Sequence, residues 1–165
     1  MINMETFRLI VSFFAATGAG LMAGIFFIFS NTIMRSLGKL PPADGMAAMR
    51  SVNSTIVNPF FLLIFLGTGF LCAALVIVSI TKWDSPGSAL LLAGAAAYLL
   101  GSILVTMVFN VPMNNALEAA SLNDPSSISL WQDYLARWTM WNHVRTGLSI
   151  VSTALVIVSI WLQKE

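Results

Sequence analysis

Residues 58–81 read NPFFLLIFLGTGFLCAALVIVSIT, and no charged side chain occurs anywhere between Arg50 and Lys82. A bilayer is crossed by a helix of about 20 mostly apolar residues, and this stretch supplies that length. Its entry at Asn58-Pro59 and its exit into the tight Lys82–Gly87 turn with Pro86 bracket one membrane span. Three further uncharged stretches flank it, between Arg8 and Arg35, between Asp84 and Glu118, and between Arg145 and Lys164. The expected spans are therefore about 8–30, 58–81, 87–109 and 143–162. None alternates with period two, as the strands of a membrane barrel would. The expected fold class is all-α: an integral membrane four-helix bundle, residues 1–165 forming a single membrane domain, with short interfacial helices in the two long loops.

Composition agrees. Of 165 residues, 58% are hydrophobic and 9% charged, against roughly 25% charged in soluble domains, and the mean hydropathy is +0.85. A net charge of +1 without a basic run gives no footing for nucleic acid. Cys72 is the single cysteine and lies in an apolar run, so it reads as a small buried hydrophobe. The first apolar run is too long for a signal-peptide core and has no small-x-small site at its end, so it is expected to remain as a helix.

Four spans place both ends of the chain on one side, with the Lys82–Gly87 turn and the Gln163–Glu165 tail. The other side carries the long connections, 31–57 and 110–142. Residues 43–57, after Pro41-Pro42, set Met46, Met49, Val52 and Ile56 on one stripe, as a helix lying in the interface would. Residues 112–122 begin with Pro112, which a first helical turn tolerates. After Asn123-Asp124-Pro125, a segment from about Ser126 runs into the fourth span. Arg35, Lys39, Arg50, Arg137 and Arg145 lie on the long-loop side, against Arg8, Lys82 and Lys164 on the other. The positive-inside rule then favours cytoplasmic long loops in a cell membrane.

Membrane helices associate through small residues that let backbones approach. Gly20-x-x-x-Gly24 in the first span and Ala89, Ala93, Ala97 and Gly101 in the third are the expected packing faces. In the fourth span Ser149, Ser152, Val156 and Ser159 share one face, expected to point inward, while Ile150, Ala154, Ile157 and Trp161 lie opposite.

Connectivity gathers a polar and aromatic set at the long-loop end: Ser30-Asn31, Asn53, Asn58, Asn110, Asn114, Trp131, Tyr134, Trp138, Trp141, Asn142, His143 and Arg145. Interfacial belts of Trp and Tyr and helix-capping Asn account for any one of these. Helical phase argues for more. Trp131, Tyr134, Trp138, Trp141 and Arg145 fall within about 80° of one another, with Asn142 at the edge, and that face continues into the serine face. Intramembrane ionisable groups face a bundle interior or a wet cavity, so Arg145 is expected to close the floor of an aromatic-walled pocket. His143, the natural general base, lies about 160° from Arg145 on a continuous helix. One His without clustered carboxylates or thiols falls short of a zinc or iron site, so neither a metal nor another cofactor is expected.

Asn110-Val-Pro-Met-Asn114, followed by Trp138-Thr-Met-Trp-Asn-His-Val-Arg-Thr146, resembles the anthrone-oxygenase-like family of small membrane proteins; Phe29-Ser30, Leu40-Pro41 and Asn53 extend the likeness over most of the chain. The resemblance implies four spans and, as in the family's fungal branch, oxidation of an anthrone to an anthraquinone with molecular oxygen. By position Asn110, Asn114, Trp138, Asn142, His143 and Arg145 match the family's recurrent polar set. An electron-rich enolate reacts with oxygen without a metal. His143 or a water would be its base, and Arg145 with Asn142 and Asn110 would stabilise the oxyanion. Trp138, Trp141 and Tyr134 would form a flat slot, with Asn114 and Asn53 also binding substrate.

A non-enzymatic reading stays open: the same pocket binding a lipid- or quinone-like small molecule, or the end of the bundle docking a partner as a membrane subunit. Transport is disfavoured, because the midplane lacks charges and interrupted helices. The partners expected are a hydrophobic small molecule and membrane lipid, with self-association into a homo-oligomer left open.

Overall fold

The computed structural model describes residues 3–122 and 124–163; Asn123, Lys164 and Glu165, named above in loop and tail, lie outside them. Among the described residues five helices follow one another: α1 Met4–Leu37, α2 Pro42–Ile56, α3 Pro59–Thr81, α4 Ser88–Ala119 and α5 Ser126–Leu162. Among the described residues there is no strand. α1, α3, α4 and α5 are each long and apolar enough to cross a membrane, so the chain is a multi-pass membrane protein. α1 packs on α3 and α5, and α4 packs on the same two, closing a ring in which every neighbour runs antiparallel. Its outer surface exposes Phe13, Phe60, Phe70 and Ile77, side chains suited to lipid.

The starts of the helices are chemically specified. Asn3 caps α1 by accepting from the Thr6 N–H at 2.7 Å, and Asn58 caps α3 by accepting from the Phe61 N–H at 3.0 Å. Pro42 and Pro59 each occupy a first turn, where no N–H is missed. α4 starts from Gly87, whose φ of 74° suits glycine. A Cβ there would also sit 2.9 Å from the Ser159 carbonyl oxygen.

The helices outrun the bilayer. α5 has 37 residues, about 55 Å at 1.5 Å each, against a hydrocarbon thickness of about 30 Å. The long connections are thus largely continuations of α1, α4 and α5, with α2 laid across them. The separate helix expected over 112–122 is the end of α4, because the chain passes Asn110 without breaking. π-helical turns span Phe29–Ile33, Leu99–Leu104 and Thr106–Asn110. In the last, the Val111 N–H reaches back to the Thr106 carbonyl. That wider turn accommodates Pro112, whose ring would crowd the preceding turn of a regular helix.

The small-residue faces need correction. Gly24, Ala89 and Ala93 are exposed, and a Cβ on Gly24 would meet nothing within 4 Å. Of the expected faces Gly101 does pack closely, since a Cβ on it would lie 2.2 Å from Leu148 Cβ; outside them, a Cβ on Gly18 would lie 1.9 Å from Thr68 Oγ1. α4 turns the stripe Leu91, Ala95, Tyr98 and Ser102 inward instead. Two of these carry hydroxyls that find partners there, Tyr98 donating to the Phe65 carbonyl at 3.0 Å and Ser102 meeting Ser149 Oγ at 2.7 Å. Several spacings of small residues fit a helix, and polar pairing in lipid selects among them. The serine face of α5 is buried and Ile150, Ile157 and Trp161 are exposed, as phase predicts.

Two cores result. One lies within the spans around Met22, Cys72, Leu75, Leu91, Tyr98 and Val156. The second, at the long-loop end, joins Met34, Met46, Met49 and Leu117 to Trp131, Tyr134 and Trp138. The methionine stripe of α2 therefore packs on protein, where Met46 and Met49 are fully buried. Arg50 completes the attachment by donating to the carbonyls of Leu117 and Ala120 at the end of α4.

Candidate functional site

A cavity of about 120 Å³ opens between the bundle and α2. α1 contributes Ile25, Phe26 and Phe29; α2 and the following turn contribute Val52, Asn53, Ile56 and Val57; α4 contributes Thr106, Asn110 and Asn114; α5 contributes Trp138, Asn142 and Arg145. Phe61 of α3 borders it. Among the described residues no carboxylate or imidazole lines this space.

Arg145 is 6% exposed. Its Cζ sits 3.7 Å from the centre of the Phe26 ring, and its Nη1 donates to Asn142 Oδ1 at 3.1 Å. Its Nε has no partner. A guanidinium carries five donors; Asn142 accepts one of them, and Arg145 is among the residues that line the cavity. The one ion pair among the described residues, Arg137–Asp133, lies exposed elsewhere. Arg145 is thus a buried cation without an anion.

Asn142 holds it in place. Its Nδ2 donates to the Phe26 carbonyl and to Ser30 Oγ, both at 2.7 Å. The π-helical turn Phe29–Ile33 places Ser30 toward α5 for the second of these. Both amide hydrogens are then occupied by α1, which leaves Asn142 none to donate to a ligand. Asn110 enters from the π-helical turn in α4, its Nδ2 donating weakly to the Trp138 carbonyl at 3.4 Å, while its buried Oδ1 is unpartnered.

A second tier stands behind the first. Trp131, Tyr134 and Trp138 stack along α5 with centroids 5.6 and 6.0 Å apart. Asn114 Oδ1 accepts from Tyr134 Oη and from Trp138 Nε1, each at 2.8 Å, which fixes the Trp138 ring as the cavity wall. Phe29 packs on it at 6.0 Å.

Of the residues singled out in the sequence, Asn53, Asn110, Asn114, Trp138, Asn142 and Arg145 border one cavity. Tyr134 is one hydrogen bond behind it. Trp141 is not among its walls; at the α4 edge of the face it stacks on Phe109, 3.5 Å between centroids and 6° from parallel. His143 is exposed, on the side its phase assigns, and does not line the space. Phe26 was not foreseen: an aromatic in an apolar span carries no signal that a cation will rest on it. Thr106 escaped similarly, since its place follows from a π-helical turn that residue spacing does not announce.

The family model described as anthrone oxygenase matches residues 60–155, more than half of the chain and a range that includes Asn110, Asn114, Trp138, Asn142 and Arg145. No curated protein and no solved structure matches.

Proposed function

The chain belongs to the anthrone oxygenase family, and from that premise we propose that it is a cofactor-independent oxygenase acting on a flat, hydrophobic anthrone- or quinol-like substrate in this cavity. The observation that carries the reading is Arg145, a buried guanidinium with no carboxylate partner beside an open space. Burying an unpaired charge costs several kcal/mol, and a substrate that becomes an oxyanion offsets that cost as it reacts. This is the differential stabilisation that accelerates a reaction.

For an anthrone the balance is simple. The ring methylene loses a proton, the electron-rich enolate combines with molecular oxygen, and the product is the anthraquinone plus one water. One oxygen atom becomes the new carbonyl; the other leaves in water with the two methylene hydrogens. Arg145 holds the enolate oxygen, Asn142 fixes Arg145, and Trp138 and Phe29 provide flat walls. Asn110 Oδ1 accepts from a hydroxyl of the substrate. With His143 turned away, a water in the cavity takes the proton.

Size bears on the pose. A cavity of roughly 150 Å³ takes up benzene, so about 120 Å³ holds at most one ring, and the remainder of the substrate rests at the mouth beside Ile56, Val57 and Phe61. Val57 there is 63% exposed, so the mouth faces outward. The test is oxygen consumption by the full chain in lipid nanodiscs given a simple anthrone, with and without chelator. Metal-free uptake above empty nanodiscs is expected; uptake abolished by chelator, or none at all, contradicts the proposal.

That no carboxylate or imidazole among the described residues lines the cavity favours one second reading, a site that binds anionic hydrophobic ligands without turning them over. Saturable, Arg145-dependent binding of an anthrone with no oxygen uptake would establish it.

A further inference from the structure

A second concavity, about 470 Å³, lies on the outer surface along the seam between α1 and α3. Its walls are apolar or small, among them Phe14, Leu21, Ile64, Gly67 and Leu71. Phe14 and Leu21 are more than half exposed, so the groove opens sideways toward lipid. The seam continues into the cavity already described. Leu21 borders the groove and Ile25, one turn further along α1, borders the cavity; on α3, Ile64 borders the groove and Phe61 borders the cavity. One helical turn, about 6 Å, separates the two.

We propose that the natural substrate is a tailed amphiphile, an aromatic head that enters the cavity with an alkyl or isoprenoid chain laid in the α1/α3 seam. This rests on reading the cavity as the head-group site. Dimensions and position both favour it. The cavity holds at most one ring, whereas the groove is several times larger, within the range of ligand pockets. The groove is mostly apolar, its polar side chains being Thr17, whose hydroxyl is held by the Phe13 carbonyl, and Thr68, whereas the cavity holds Arg145 and four asparagines; this is the polarity order of such a molecule. A chain leaving bulk lipid gains little hydrophobic energy, so the tail acts by packing and orientation: it brings the head to Arg145 from within the membrane.

Gly67 offers the test. It borders the groove, and a Cβ there would meet nothing within 4 Å, so Gly67→Leu starts from open space and narrows the groove, with a better helix former. Gly24 also faces open space but borders neither concavity, and Gly24→Leu is the control. Methylhydroquinone and decylhydroquinone are compared by equilibrium binding to the full chain in phosphatidylcholine nanodiscs, without oxygen, after subtraction of empty discs. The ratio of their affinities should fall about tenfold in Gly67→Leu and stay unchanged in Gly24→Leu. An unchanged ratio in Gly67→Leu overturns the proposal and leaves the groove to ordinary phospholipid. A fall accompanied by loss of an oligomer on sizing overturns it too, since a second copy then fills the seam. Arg145→Gln separates the premise: weakened binding of both probes supports the head-group site, and unaltered binding of both contradicts that reading whatever the ratio does.

Discussion

Asn142 Oδ1 accepts from Arg145 Nη1 at 3.1 Å while both hydrogens of the Asn142 amide are held by α1, on the Phe26 carbonyl and Ser30 Oγ. One side chain thereby ties the fourth span to the first and aims the cation. Its replacement should separate aiming from charge. Asn142→Leu keeps the volume and the guanidinium but removes the bracket. Oxygen uptake is expected to fall about 10²-fold, within the range seen when a stabilising donor is lost, and mainly in kcat. Asn142→Asp, which keeps Oδ1 as an acceptor but turns Arg145 into half of an ion pair, should fall at least as far; uptake near the wild-type rate in both variants would remove Asn142 from the mechanism.

His143 gives the opposite expectation. It is exposed and outside the cavity, so His143→Gln should leave uptake within about twofold and leave its pH profile unchanged. A loss of tenfold or more, or an altered pH profile, would return the imidazole to the site.

The packing faces can be checked by stability alone. Gly101→Ala places a methyl against Leu148, whose Cβ is 2.2 Å from the added atom, and should cost about 1–3 kcal/mol through overpacking. Gly24→Ala points into open space and should be neutral or slightly stabilising, as glycine is the poorer helix former. Denaturant titration in detergent measures both. Equal costs would mean that the Gly20-x-x-x-Gly24 face packs after all.

Fold and site differed in how far the sequence disclosed them. Charge-free stretches sufficed for four spans because lipid imposes one crude requirement, length without charge. Asn53, Asn110, Asn114, Trp138, Asn142 and Arg145 could be assigned to one end by connectivity, and three of them to one face by phase on an unbroken α5. Phase also separated His143 from Arg145. On α4 the π-helical turns begin only at Leu99, and beyond them Gly101 is buried and Asn110 and Asn114 border the cavity. Ala89 and Ala93 fit a packing stripe by spacing yet face outward, because small side chains permit close approach but do not demand it, whereas Tyr98 and Ser102 have hydroxyls that must be paired. Trp141 shares its face with the cavity residues, yet Phe109 supplies a better-placed neighbour. No spacing rule could reveal that contact.

Everything functional in this account depends on Arg145. The direct measurement is oxygen consumption with a simple anthrone by Arg145→Gln in nanodiscs, beside circular dichroism and sizing to confirm an intact bundle. Glutamine keeps a donor and much of the length but loses the charge. Uptake is expected to fall at least about 10²-fold, toward the empty-disc rate, with helicity and size unchanged; a folded Arg145→Gln protein that consumes oxygen at the wild-type rate would remove Arg145 from the reaction.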